Sequence, residues 1–520
     1  TQPSRAVRVP SPSVDRNAPE MSSAVKSYQS AITDSMKSKK PRAVKRETSV
    51  ASEAPREMRK RRRRVNRPTT MYLGAEMTRM EENQLAKVLA LSRKVTKREY
   101  AVLPECPTYY PTEEQFRDPI AFIASIAKEG HRAGICKVVP PAGWSIPAKR
   151  PSPVQFTTKR QNIHQLQESR VFDEGGVYMA AEYEAMADAF SQHWLNTHHG
   201  GSNPGVEALE RDYWDVVETG RERVVVDYGN DQDTAVYGSG FPAGTATPVG
   251  SGEPPSDGKV DASIPLGSSE FNRQTGWNLN NISHLQGNML HFMSSAVNGV
   301  NVPWLYYGML FSTFAWHCED NHLYSINYMH HGASKTWYGA SCQQWRRFER
   351  MVENHAPESF RSRRSLLHDL TTMLSPAYLT KESIRMCHCV QHAGEFVITF
   401  PGGFHGGFSH GFNCAEAVNF ALPDWLSRAP SIATSYQRIP RRGVVFWESL
   451  AFTMANHLDR VPKSSMVCLA SLLLHIELEE LLWLDSRTVV GLKRTGKQVD
   501  LADGRMGMDE NRECEVCDRM

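Results

Sequence analysis

Apolar and polar positions divide this chain into stretches of different character. Up to about Leu85 no apolar periodicity develops and Ser, Pro, Lys and Arg dominate, so residues 1–100 read as a disordered tail. Order is expected from about Cys106. Pro107 and Pro111 keep the chain between them extended. Thr112 and Gln115 form a capping-box pattern, and Asp118-Pro119 reads as the N-cap and first position of a helix. Ile120, Phe122, Ile123 and Ile126 mark the buried face of that helix, and Gly130 fits its end. Ile135 to Val139 predicts a short strand stopped by Pro140-Pro141. Residues 145–170 read as polar linker. From Phe172 to His199, apolar points at Tyr178, Tyr183, Met186, Phe190 and Trp194 predict helix. Residues 238–270, rich in Gly, Ser and Pro, predict a long surface loop or disordered insert.

From Trp304 to Asp424 strands dominate: WLYYGMLFSTFAWH, LYSINYMHH, KTWYGA, EFVITFP and CAEAVNFAL. Arg346 to Leu374 is a helical interruption. Many short strands with Gly-rich turns predict a sandwich or barrel. After Trp425 the pattern returns to helix and ends in an amphipathic stretch from Val467 to Leu484. No internal repeat is visible. No apolar run approaches the roughly 18–20 residues of a membrane helix.

Composition adds a charge asymmetry. The 520 residues carry a net charge of +3. Residues 1–100 hold 24 Lys and Arg against 10 Asp and Glu, a balance of +14, which leaves −11 on the rest. Arg59 to Arg64 is an unbroken basic run, either a solvated segment or a nuclear-import or nucleic-acid patch. Ten cysteines at uneven spacing do not make a disulfide framework, and a reducing compartment is expected.

The candidate chemistry sits in Phe314-Ala-Trp-His317-Cys-Glu319-Asp320. On a strand, residues i and i+2 share a face, so His317 and Glu319 can grip one metal ion. A later histidine would complete a two-histidine, one-carboxylate set, the facial arrangement of non-haem Fe(II) oxygenases with positions left open. Phe400-Pro-Gly-Gly-Phe-His405-Gly-Gly-Phe-Ser-His410 supplies it. On spacing alone His405 or His410 would serve. His322, His330 and His331 read as polar residues at strand ends. Cys387-His-Cys389-x2-His392, before GEFVITF, reads as thiols and imidazoles near a strand, with a metal site as the lesser alternative.

These residues carry a resemblance. Residues 106–144, CPTYYPTEEQFRDPIAFIASIAKEGHRAGICKVVPPAGW, resemble the JmjN segment of the jumonji histone lysine demethylases. GMLFSTFAWHCEDNHLYSINYMHHGASKTWYGA and GEFVITFPGGFHGGFSHGFNCAEAVNFALPDWL resemble the two halves of their JmjC domain. The resemblance implies a mainly β fold with helical flanks, its JmjC core a double-stranded β-helix (jelly-roll, cupin-like), joined to a JmjN segment and a C-terminal helical domain. It implies iron on His317, Glu319 and His405, with 2-oxoglutarate held by Tyr228, Asn327 and Lys335 and packed by Phe314. Gly299, Tyr306 and Ala417 match positions that line a methyl-lysine pocket, and Trp337 is as well explained by core packing. The implied activity is Fe(II)- and 2-oxoglutarate-dependent hydroxylation of an N-methyl group, which leaves as formaldehyde, with succinate and CO2 as co-products.

Within that family AEAVNF and the closing Cys514-Glu-Val-Cys517 resemble the group acting on lysine 4 of histone H3, in a short form without ARID or PHD modules. In that group such a cysteine pair opens a C5HC2 zinc finger, so zinc on Cys514 and Cys517 is expected in the intact finger. The expected organisation is a basic tail (1–100), JmjN (104–145), a linker, helical region and insert (146–270), the JmjC core (271–425), a helical domain (426–510) and the start of a cut finger (511–520). The expected setting is the nucleus, with the histone H3 tail and chromatin as partners, no membrane, and direct DNA contact through the basic tail left open. The rivals are a demethylase of lysine 9 or 36, a non-catalytic jumonji scaffold and a JmjC protein hydroxylase.

Overall fold

The capping box forms as the sequence requires. Thr112 Oγ1 accepts from Gln115 N at 3.2 Å, and Gln115 Oε1 accepts from Thr112 N at 2.9 Å, opening helix α1 (Glu113–Phe116). Asp118 caps α2 (Pro119–Ala133), accepting from Ala121 N at 3.0 Å. These elements belong to a computed structural model that describes residues 102–147, 154–167, 172–246, 256–293, 295–355, 373–437 and 443–478. The basic tail with Arg59 to Arg64, residues 479–484 of the closing amphipathic stretch, and Cys514 and Cys517 lie outside these residues.

Helix α2 does not end at Gly130. It runs to Ala133, and Gly134 at φ +89° makes the left-handed cap. Gly130 is a glycine for another reason: a Cβ there would lie 1.9 Å from Cζ of Phe400. The bare backbone is the surface on which the Phe400 ring rests.

The strands are β1 (Thr108–Tyr109), β2 (Ile135–Val138), β3 (Phe156–Asn162), β4 (Asp173–Tyr178), β5 (Val225–Asp233), β6 (Trp304–Gly308), β7 (Thr313–His317), β8 (Tyr324–Gly332), β9 (Lys335–Ala340), β10 (Cys387–Gln391), β11 (Phe396–Thr399), β12 (Phe404–Ser409) and β13 (Asn413–Phe420). Nine form one sheet in the order β1-β2-β11-β8-β13-β6-β5-β3-β4, and four form a second, β10-β9-β12-β7. Only β1 and β2 pair parallel; every other neighbouring pair is antiparallel. These large antiparallel sheets agree with a cupin-like core.

The expected linker at 145–170 contains β3, an interior strand of the large sheet. Its inward positions are Phe156, Thr158 and Gln161, so polarity hides the alternation. Gln161 Nε2 donates to Thr313 O at 2.7 Å and its Oε1 accepts from Thr313 N at 2.8 Å. A side-chain amide thus completes the edge of β7 where a backbone partner would otherwise stand. The stretch predicted as helix from Phe172 begins instead with β4, and the helix α3 covers Ala180–His199. Gly175 explains the strand: a Cβ there would lie 2.3 Å from Thr158 Oγ1 on β3. The long strand read from Trp304 to His317 is broken between β6 and β7, where Phe311 takes φ +69°.

The described parts of 238–270 are packed rather than loose. Phe241 and Val260 join the core. Buried Glu416 on β13 accepts from Ser239 Oγ at 2.6 Å and Gly240 N at 2.8 Å, and pairs with His330 Nε2 at 2.9 Å. Helices α4 (Val206–Thr219), α5 (Trp345–His355), α6 (Ala429–Gln437) and α7 (Trp447–Asn456) complete the labelled elements, and 466–478 is helical. Among the described residues no helix is long and apolar enough to cross a membrane.

The N-terminal segment is part of the sheet. Strand β2 pairs with β11 from Phe396↔Val138 to Thr399↔Ile135. On α2, His131 Nε2 lies 2.7 Å from Asp424 Oδ2, which also accepts from Tyr324 OH at 2.7 Å. Burial pushes the Asp424 carboxyl upward, but His131 and Tyr324 hold it below the usual carboxylate value.

The Gly130 contact gives a direct test. Alanine improves helix propensity by about 1 kcal/mol, yet forcing the Phe400 ring away costs about 1–3 kcal/mol. Gly130→Ala is therefore expected to lower stability in urea denaturation, and adding Phe400→Leu should recover part of the loss.

Candidate metal centre and its surroundings

Strand alternation decides which side chains meet. On the small sheet, His405 lies opposite Gly339, Gly407 opposite Trp337 and Ser409 opposite Lys335. Across β10, Gln391 lies opposite Lys335, and Cys389 opposite Trp337. Paired residues share a face, so His405, Trp337, Lys335, Ser409 and Gln391 point the same way. On the large sheet, Ala417 is opposite Asn327 and Trp304, Ala415 is opposite Tyr306, and Asn419 follows at the next like position. The two faces look at each other. Gln391 Nε2 donates across the gap to Asn327 Oδ1 at 3.1 Å, and Lys335 Nζ stands 5.7 Å from the Tyr228 ring centroid.

His317 ends β7 and lies opposite His405 on β12. Their rings are 4.1 Å apart, and Glu319 Oε1 is 3.3 Å from His405 Nε2. Ligand atoms of His317, Glu319 and His405 all lie within 4.8 Å of one another, the one such group among the described residues. His317 Nδ1 is 2.8 Å from Ala315 O, and His405 Nδ1 is 3.2 Å from Gly403 O. A carbonyl only accepts, so both Nδ1 atoms carry hydrogen and both Nε2 atoms keep a lone pair for a metal. Two imidazoles and one carboxylate on one side fit an ion that keeps open positions. Burial pushes Glu319 up, but the hydrogen bond and charge of His405, the charge of His317 and the Asn419 amide hold its pKa at about 2.

His410, equal to His405 on spacing, is turned away. It has the parity of Phe404 and Phe408, which enter the core behind the sheet, and its Nε2 lies 2.7 Å from Thr336 Oγ1. Burial, then the nearby charges of Lys335 and His392, depress it to about 4. His322, His330 and His331 do not join the cluster. Cys387 and Cys389 face inward from β10 and pack with Cys106; burial raises the Cys387 thiol, while the hydrogen bond with Cys106, and burial, raise Cys389. His392 Nδ1 instead meets Ser334 Oγ at 2.8 Å.

A register shift between His405 and Gly407 lets Phe314 and His317, three residues apart, both face inward. The Phe314 ring lies 4.5 Å from Trp337, and a Cβ on Gly407 would approach its Cζ to 2.6 Å. Lys335 is 1% exposed. Its Nζ donates to Ser409 Oγ at 2.8 Å, and no carboxylate pairs with it among the described residues. Gly299, at φ +79°, stands against the Trp304 ring, which a Cβ would meet at 2.8 Å. Tyr306 lies 6.5 Å from Tyr228, ring to ring.

Several participants escaped the sequence reading. Asn419 Nδ2 donates to Glu319 Oε2 at 2.9 Å. Ser409 and Gln391 hold Lys335 and Asn327. Asp231, at φ +56°, is raised by burial to about 6 against hydrogen bonds from Asn230 and Tyr306. Ser409 and Asn419 had a legible signal: they stand at even spacing from His405 and Ala417 on strands already recognised.

Family models match residues 304–420 as "JmjC domain, hydroxylase" and residues 107–140 as "jmjN domain". "Lysine-specific demethylase JMJ703" of Oryza sativa subsp. japonica is 36% identical over 404 residues, covering 69% of this chain and 31% of that protein. "Putative lysine-specific demethylase JMJ16" of Arabidopsis thaliana is 35% identical over 394 residues, covering 62% and 31%. "Lysine-specific demethylase JMJ17" of Arabidopsis thaliana is 37% identical over 350 residues, covering 66% and 27%. The chain thus spans less than a third of these relatives. Residues 107–140 and 304–420 match the jmjN and JmjC domains, with the His317–Glu319–His405 set inside the second, in a chain similar over part of its length to lysine-specific demethylases.

Proposed function

We propose that the site is that of a nuclear Fe(II)- and 2-oxoglutarate-dependent oxygenase that removes methyl groups from a lysine of histone H3, lysine 4 by preference. The observation that carries this reading is a set of two imidazoles and one carboxylate, combined with a buried ammonium that has no acidic partner among the described residues. Lys335 is expensive to bury alone, and an anion entering the site would repay that cost. The distal carboxylate of 2-oxoglutarate is such an anion, with Tyr228 and Asn327 beside it and Phe314 and Trp337 excluding water.

When bound, iron with 2-oxoglutarate and O2 would supply the oxidising power: O2 is the oxidant, one of its oxygen atoms going into succinate and the other into an N-methyl C–H bond. The chain's own residues bind, orient and enclose. His317, Glu319 and His405 would hold the ion. Tyr306 presents an aromatic face to a cationic methyl-lysine, while Ala417 adds little bulk beside its methyl groups; the space a side chain at Gly299 would take is filled by the Trp304 ring. A quaternary ammonium is acceptable because the reaction needs a C–H bond and no nitrogen lone pair. The hydroxymethyl product then breaks its C–N bond, releasing formaldehyde and leaving the proton-bearing amine. Lysine 4 is favoured by AEAVNF and the closing cysteine pair, and the net charge of −11 outside residues 1–100 suits a basic tail.

His317→Ala is expected to weaken Co(II) binding more than about 100-fold, beyond the 10- to 100-fold typical of a lost outer partner, while the melting curve of the metal-free protein stays near wild type. Near-normal binding would remove His317 from the metal site.

Burial depresses the Lys335 ammonium to about 7. Below that pH the free protein already carries the charge that a carboxylate needs; above it, binding requires proton uptake. The affinity of Mn(II)-loaded protein for 2-oxoglutarate should therefore fall as pH rises above about 7, by up to about tenfold per unit. Lys335→Arg should flatten the profile, and Lys335→Ala should weaken binding roughly 10- to 100-fold at neutral pH.

Formaldehyde release on trimethylated lysine-4, lysine-9 and lysine-36 peptides tests the substrate. Turnover is expected to be fastest on lysine 4. A faster rate on lysine 9 or 36 would move the target and leave the chemistry standing, while release on none would favour a scaffold.

A further inference from the structure

Asn419 stands at an unusual junction. Its side-chain amide donates to Glu319 Oε2 at 2.9 Å and to Tyr324 O at 3.1 Å. Both neighbours are acceptors, so the NH2 group must point at them and the amide orientation is fixed by chemistry. The residue is itself immobilised: its N donates to Val300 O at 3.0 Å, and its O accepts from Ser283 Oγ at 2.7 Å. It is buried, on the same face of β13 as Ala417. The other carboxylate oxygen, Oε1, faces His405 Nε2 at 3.3 Å.

The two oxygens of Glu319 therefore have different environments. Oε1 stands beside the metal-facing nitrogen of His405, and Oε2 is tied back to the large sheet. A carboxylate with both oxygens free can take two positions on a metal ion. An ion of six positions would then keep two open instead of three. We propose that Asn419 is a positioning residue that holds Oε2 away from the metal, so that Glu319 binds through Oε1 alone and three adjacent positions stay open. This rests on the metal-site reading above. It adds that the number of open positions is set from β13, by a residue that is not a ligand. It also makes Glu319 a link between the sheets, because Asn419 joins it to the backbone of β8.

The test uses the whole chain with Co(II) as the probe ion. Asn419→Leu keeps the size and removes the donor. It is expected to retain Co(II) binding within about tenfold of wild type, since all three ligands remain. Its visible Co(II) absorption should be weaker, as for a higher coordination number, and its affinity for 2-oxoglutarate should drop about 10- to 100-fold. Asn419→Ser, small and polar, should show the same pattern if the leucine variant fails to fold. Wild-type Co(II) absorption together with wild-type 2-oxoglutarate affinity in a folded variant would overturn the proposal and leave Asn419 a structural residue. If Co(II) binding in the wild-type protein is indifferent to Glu319→Ala, the metal-site reading falls first and takes the proposal with it.

Discussion

The placement of His405 opposite His317 across the β12–β7 ladder is the constraint on which the site depends. Once that pair is set, the two-residue period of β9, β10 and β12 fixes the other inward residues of those strands, while the register shift on β7 sets Phe314. Lys335 and Ser409 must face the same space, Trp337 must stand between them and the metal ligands, and Gln391 must reach inward from β10. A one-residue slip would bring His410, Phe404 and Phe408 to the inner face and send the ligand and the ammonium to the outer one. The glycines around His405 serve this register: Gly407 has no side chain where the Phe314 ring must lie.

What the sequence made legible follows from the same period. Strands such as EFVITF and CAEAVNF announce themselves because apolar residues fill their positions, and His-x-Glu on such a strand is recognisable as a pair of like-facing ligands. The choice between His405 and His410 stayed open because spacing along the chain says nothing of parity until the strand's starting residue is known. Strands β3 and β4 were missed for a different reason. Their inward positions hold Thr158 and Gln161, and β4 contains two glycines, so polarity and helix-breaking residues masked strands that a tertiary partner stabilises. Gly130 was read as a helix terminus from local rules, whereas a ring 270 residues away determined it.

The site combines two electrostatic situations of opposite kind. At the metal ligands, imidazoles and an amide more than offset the burial of Glu319, whose carboxylate stays charged. At Lys335 burial is offset by a single hydroxyl and an aromatic ring, and its charge is poorly held. The pocket is thus finished at one end and unsatisfied at the other, an arrangement suited to a molecule that chelates at one end and carries a second carboxylate at the other.

The pairing of β2 with β11 has a consequence for the chain's vulnerability. Strand β11, Phe396–Thr399, is wholly buried between β2 and β8. Loss of the jmjN segment, by proteolysis or during synthesis of a damaged message, would leave the backbone amides and carbonyls of a buried, mostly apolar strand facing water along one side. Such an edge is a template for pairing with another copy of itself. The jmjN strand therefore shields the large sheet from self-association, and a chain without it is expected to aggregate.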